Sequence, residues 1–180
     1  REVVRILPRG NDTFLDESQR VLRAGLETAS WIRVDDTGAR HKAANGVTTQ
    51  TGNAHFTWSG TTGSKSRLNF LSLLRAGHDD YVVNSAALDY MRRQNLAGWA
   101  LEALEGAPDK HFAGEAAWQA HLDQLGLDRK VTPDPIRLAT EGALWGSVQA
   151  HGLLPDTVIV SDDAGQFKVG VHALCWIHAE

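Results

Sequence analysis

Polar and apolar positions alternate with two different periods along the chain, and the switch between them predicts an α/β fold. Residues 12–29 place Leu15, Leu22 and Leu26 near one helical face, with Asp16 and Glu17 close to the start and Asp12 or Thr13 as the cap. Residues 31–36 are a short apolar run that stops on Asp35 and Asp36, which reads as a strand. Residues 46–51 and 55–61 read as a hairpin joined by Gly52, Asn53 and Ala54. Helical spacing then returns at 65–76, with Leu68, Leu71 and Leu74, and ends at Gly77. Residues 85–96 and 97–105 predict one or two helices anchored by Leu88, Met91, Trp99 and Leu104. Residues 114–125 predict another, with Trp118, Leu122 and Leu125, stopped by Gly126. Asp134 as cap with Pro135 in the first turn starts a helix that runs to about Ala150 and ends at Gly152. Residues 157–162 are a second strand ending in acid, and 171–177 a short strand leading toward a helix. Residues 1–12 are a lead-in, broken by Pro8 and Gly10.

The acidic strand ends carry the first functional expectation. A strand that stops on aspartate places a carboxylate at the rim of a sheet, where side chains leave the core and can meet a metal ion. Two such strands side by side make a divalent-cation site, because Mg²⁺ takes oxygen ligands. The candidates are Asp35 with Asp36, and Asp162 with Asp163. Neighbouring strand residues point to opposite faces, so each doublet supplies one ligand. The competing reading is turn chemistry, since Asp and Gly favour turns after strands.

Composition narrows the class. The 180 residues suffice for one sizeable core, and the formal net charge is −4, from 18 Lys+Arg against 22 Asp+Glu. That balance argues against a stand-alone DNA-binding module, which normally carries a basic face. One cysteine excludes an internal disulfide framework and fits a reducing cytoplasm. No apolar run approaches membrane-spanning length. The chain begins at Arg1 without an initiator Met and stops at Glu180 without a helix stop signal. We expect a piece of a longer protein, truncated at the C-terminus.

The two acidic segments, together with Cys175-Trp176-Ile177-His178-Ala179, resemble the catalytic region of DDE-type bacterial transposases of the IS66-like group. The matching residues are Asp35-Asp36-Thr37, then Asp162 followed by Ala164-Gly165-Gln166-Phe167, then the Cys-Trp-x-His-Ala segment. The second motif is one residue shorter than the group's usual spacing, which keeps Asp163 in play as a ligand. The resemblance implies an RNase H-like core: a mixed sheet whose first three strands are antiparallel, with a helical insertion at about 78–130. It divides the chain into a lead-in and helix over 1–29 and a partial catalytic core over 30–180. It implies Asp35 and Asp162 as catalytic ligands of Mg²⁺ or Mn²⁺, and a parent enzyme that cuts and joins DNA at element ends and targets. Such a parent would act in the bacterial cytoplasm, at the nucleoid, as a homo-oligomer. The third acid would lie on a helix beyond His178, so this chain alone is expected to be inactive. A non-catalytic, transposase-derived DNA- or protein-binding remnant is the alternative.

Other motifs weigh less. His172, Cys175 and His178 are spaced three apart, but structural zinc normally needs four ligands and no second Cys exists. His178 is kept instead as a contact to DNA phosphate. Gly60-Thr61-Thr62-Gly63-Ser64-Lys65-Ser66 misses the phosphate-loop pattern, since both glycines stand one place off. It reads as a strand-to-helix turn with Ser64 as cap, whose Lys65 and Arg67 are placed to meet DNA phosphate. The six Trp residues default to core. Gly142 and Gly146, four apart, read as a close-packing surface against the sheet.

Overall fold

The computed structural model describes residues 11–41, 44–127 and 131–176. Six α-helices and seven strands lie among the described residues. Helix α1 spans Asp12–Thr28, and strands β1 (Trp31–His41), β2 (Ala44–Gly52) and β3 (Thr57–Thr62) follow. Helix α2 is Arg67–Leu74. The helical middle holds β4 (Tyr81–Val82), α3 (Ser85–Arg93), α4 (Gly98–Gly106), β5 (His111–Phe112) and α5 (Glu115–Gln124). Helix α6 (Pro135–Ala150), β6 (Val158–Ser161), a 3-10 turn at Gly165–Phe167 and β7 (Val171–Leu174) complete the order.

Five strands form one mixed sheet in the order β3-β2-β1-β6-β7. The first three are antiparallel, while β6 runs parallel to both β1 and β7. The two acid-bearing strands are therefore neighbours at the centre of the sheet. The fold is α/β, as the alternating periods predict.

One face of this sheet is packed and the other is open. Along β1, Ile32 and Val34 are buried while Trp31, Arg33, Asp35 and Thr37 are exposed, the alternation of a half-buried strand. Ile32, Val34, Trp58 and Ile159 share one apolar cluster with Phe70, Leu71 and Leu74 of α2 and Leu144, Trp145 and Val148 of α6. Leu22 and Leu26 add α1 to that core, whereas Leu15 is exposed, because only the C-terminal half of α1 reaches the sheet. No helix among the described residues is long and apolar enough to cross a membrane.

Several local expectations need correction. Position 11, not 12 or 13, is the cap position of α1. Ser66, not Ser64, caps α2: its extended backbone lets Oγ accept from the Asn69 N–H. Ser64 instead accepts from the Asn69 side chain. Gly142 and Gly146 do permit close packing, but against α3 and β4. A Cβ on Gly146 would lie 2.0 Å from the Val82 carbonyl oxygen, and one on Gly142 would lie 2.6 Å from Met91. Trp58, Trp118 and Trp145 are core, whereas Trp31, Trp99 and Trp176 are exposed. The helical middle also contains the two-residue ladder β4–β5, too short to leave a period in the sequence.

Gly126 and Gly152 end α5 and α6 in the left-handed region at φ +68° and +70°, where a side chain would be strained.

Candidate functional site

Parallel pairing brings the acidic doublets together. Ile32 pairs with Ile159 and Arg33 with Val160. β1 runs on past this pairing through Asp35 and Asp36, while β6 ends at Ser161, so Asp162 and Asp163 begin the loop that leaves β6 beside that stretch of β1.

Within each doublet the two carboxylates do different work. Asp36 continues the packed face of β1 and has both oxygens engaged. Its Oδ1 accepts from Thr49 Oγ1 at 2.5 Å and its Oδ2 from Gln166 Nε2 at 3.1 Å. Asp35 lies on the open face. Its Oδ1 accepts from the Asp36 N–H at 2.8 Å, and among the described residues Oδ2 has no protein partner. Asp162 Oδ1 accepts from the Ala164 N–H at 3.1 Å, a local turn that leaves Oδ2 without a protein partner among the described residues. Asp163 is exposed and paired with Lys168 Nζ at 2.6 Å. The Lys168 hydrogen bond and charge hold the Asp163 carboxyl below its usual value.

Asp35 and Asp162 thus each keep one oxygen oriented by a backbone N–H and one oxygen open. This donor set fits a hard divalent cation, which takes one or two carboxylates and keeps water. Among the described residues no group of three His, Cys, Asp or Glu side chains converges on a metal position. Asp35 also lines a shallow cavity of about 170 Å³ with Arg33, Gln50, Gly52, Asn53 and Thr57.

The loop after Asp162 is held from several sides. Gln166 reaches Asp36, as above. Phe167 is buried and meets Phe70 edge-on, with ring centroids 5.1 Å apart. Arg67 Nη2 donates to the Gly165 carbonyl. The same guanidinium donates through Nη1 to Gln94 Oε1 at 3.1 Å and stands 3.5 Å from Glu141 Oε2. Glu141 is buried in α6; Arg137 Nη1 serves its Oε1 at 2.9 Å and Tyr90 OH its Oε2 at 2.8 Å. Burial and the Glu141 carboxylate both push the Tyr90 hydroxyl far up, so it remains a donor.

The remaining sequence candidates fall as follows. Lys65 is exposed in the turn before α2, while Arg67 is turned inward. His172 Nε2 lies 2.8 Å from Ser161 Oγ, and burial, then the Lys168 charge, push its imidazole down. Cys175 is half-buried, and its N–H donates to the Ser161 carbonyl at 2.6 Å. His178 lies outside the described residues.

Sequence reasoning missed a second polar cluster. Asp80, before β4, accepts from Ser147 Oγ at 2.7 Å and lies 3.0 Å from His151 Nε2 and 2.9 Å from His111 Nε2. His78 stacks on His151 with centroids 3.5 Å apart. These residues share no motif; only the fold assembles them.

Over 160 residues the chain is 48% identical to a protein of Sinorhizobium fredii (strain NBRC 101917 / NGR234) described as uncharacterized protein y4jO. The alignment covers 89% of this chain and 50% of that protein, so the chain spans about half the length of the curated relative it matches. No family profile matches the chain. No solved structure matches it.

Proposed function

We propose that this chain forms much of the RNase H-like catalytic core of a DDE-type transposase similar to the IS66 group. The observation that carries the reading is the division of labour in the two doublets. Asp35 on β1 and Asp162, the residue just past the end of the adjacent parallel strand β6, are the members left with an open oxygen, while Asp36 and Asp163 are occupied by protein partners. Three antiparallel strands, with the second acidic strand parallel to the first, support the fold part of the reading.

In this reading Asp35 and Asp162 hold Mg²⁺ or Mn²⁺. When bound, the ions polarise phosphate oxygens and activate the attacking water or 3′-hydroxyl for in-line displacement at phosphorus. The protein's own part is to hold two carboxylates in place and leave their outer oxygens free. Lys65, exposed at the start of α2, contacts a DNA phosphate, and His178 is a second candidate for that contact. The open face of the sheet, which carries Asp35, receives the segment bearing the third acid. Parallel strands normally have both faces covered. DNA is the substrate, at element ends and targets, and the working protein is a homo-oligomer.

The test is DNA nicking by the full-length gene product with Mn²⁺ on supercoiled plasmid. Wild type nicks, and Asp35→Asn and Asp162→Asn each lower the rate by about a hundredfold or more, as expected for loss of a metal ligand. Equal activity in wild type and both variants overturns the reading, and a fully inert wild type favours the non-catalytic remnant. The 180-residue chain alone shows no cleavage above its Asp35→Ala variant.

A further inference from the structure

We propose that Arg67 is a positioning residue that fixes the Asp162 loop, and hence the spacing of the two metal-binding carboxylates. The proposal rests on the reading of Asp35 and Asp162 as ligands.

A bland role for Arg67 is to neutralise buried Glu141, but the distances assign that task elsewhere. Glu141 already has Arg137 at 2.9 Å on one oxygen and Tyr90 at 2.8 Å on the other, whereas Arg67 stands 3.5 Å away. Arg67 also donates through Nη2 to the Gly165 carbonyl, three residues past Asp162. Glu141 and Gln94 act as a backstop that fixes the guanidinium plane, and the other edge of that plane grips the loop. Planar, multi-donor geometry makes Arg suited to bridging two such sites at once.

Arg67 acts on the loop together with Phe167 and Gln166. It is a single 3-10 turn, Gly165–Phe167. Phe167 plugs into the core beside Phe70, and Gln166 ties the turn to Asp36 on β1. Arg67 and Phe70 both belong to α2, so one helix holds the loop from behind while Gln166 joins it to the strand bearing Asp35. Asp162 Oδ1 is oriented by the N–H of Ala164, the residue that caps this turn. Moving the turn therefore moves the open oxygen of Asp162 relative to Asp35. Groups that orient metal ligands in this way typically change metal affinity by about 10- to 100-fold when removed.

The experiment compares Arg67→Lys and Gln166→Ala with wild type, using the full chain. Arg67→Lys keeps the charge beside Glu141 and removes the planar bridge to Gly165. Gln166→Ala cuts the other tether at a half-buried position, and should Arg67→Lys fail to fold, Gln94→Ala, which removes the backstop of the Arg67 guanidinium, takes its place. Two quantities are read: amide hydrogen exchange over residues 163–168, and Mn²⁺ affinity from water-proton relaxation. Both folded variants should exchange this segment about tenfold faster or more and bind Mn²⁺ about tenfold more weakly, with helix content unchanged.

Unchanged exchange in the folded variants overturns the clamp. Faster exchange with wild-type Mn²⁺ affinity overturns the positioning role. Wild-type Mn²⁺ binding that survives Asp35→Asn and Asp162→Asn overturns the ligand reading itself. That failure is distinct, because the exchange result involves no metal.

Discussion

Acidification should destabilise this protein through Asp80 in a narrow and calculable window. Burial pushes the Asp80 carboxyl up, but hydrogen bonds from Ser147, His111 and His151, together with the His151 charge, outweigh it and hold the group at about 2 against an ordinary 3.8. The folded state therefore binds fewer protons than the unfolded chain near pH 3. A depressed carboxyl contributes stability that is fully present above its unfolded value and is lost as pH falls through its folded value. At about 1.4 kcal/mol per pH unit, the gap between 3.8 and about 2 corresponds to about 2 kcal/mol. The Asp80 side chain is 12% exposed but its partner His111 is 64% exposed, so solvent screening makes this figure an upper bound. Other carboxylates titrate in the same range, so the measurement is a difference. Urea unfolding of wild type and Asp80→Asn is followed from pH 7 to pH 2. The wild-type advantage should shrink by about 2 kcal/mol as pH falls from about 5 toward 2. An advantage that stays constant down to pH 2, or no advantage at pH 7, would refute the argument. The structural consequence follows from who the partners are. Asp80 joins β4 to His111 of β5 and to Ser147 and His151 at the end of α6, so its protonation loosens the helical middle from α6.

Other variants probe other parts of the fold. Gly146→Ala drives a Cβ to 2.0 Å from the Val82 carbonyl and should cost about 2 kcal/mol or more even after the helix-propensity gain; Gly98→Ala, with open space around it, should be within about 0.5 kcal/mol of wild type or better, both read by thermal unfolding. Tyr90→Phe removes the 2.8 Å donor to Glu141 and should cost about 1–3 kcal/mol in denaturant melts. Trp118→Ala empties a site that is 2% exposed and loses the bond to Thr140, for roughly 3–5 kcal/mol by the same assay. Ser66→Ala should cost about 1 kcal/mol through the lost cap on Asn69.

The sequence carried the sheet and the acids better than the network around them. Short β-branched runs ending in Asp35 and Asp162 located two strands, and the β-hairpin pattern located the next two, because apolar runs and turn residues are local signals. The Pro135 start and the Gly126 and Gly152 stops were legible for the same reason. Which aspartate of each doublet keeps an open oxygen was not legible. It depends on Thr49, Gln166 and Lys168, and Thr49 and Gln166 reach Asp36 from 13 and 130 residues away. Arg67 looked like a surface cation beside Lys65, yet its partners sit on α3, on α6 and in the loop after β6. The Asp80 cluster draws on three separated segments, and no spacing rule joins them. Trp31 and Trp176 were assigned to the core by residue type, but they are 40% and 90% exposed. Residue type does not say which sheet face is covered.

The most direct measurement for the account as a whole is a Mn²⁺ titration of this chain, followed by water-proton relaxation, beside Asp35→Asn, Asp162→Asn and Asp163→Asn. Binding should be lost in the first two and retained in Asp163→Asn, whose carboxylate belongs to Lys168. Loss in Asp163→Asn with retention in Asp35→Asn or Asp162→Asn would contradict the assignment of the open oxygens, and indifference to all three would contradict a metal site at these strand ends.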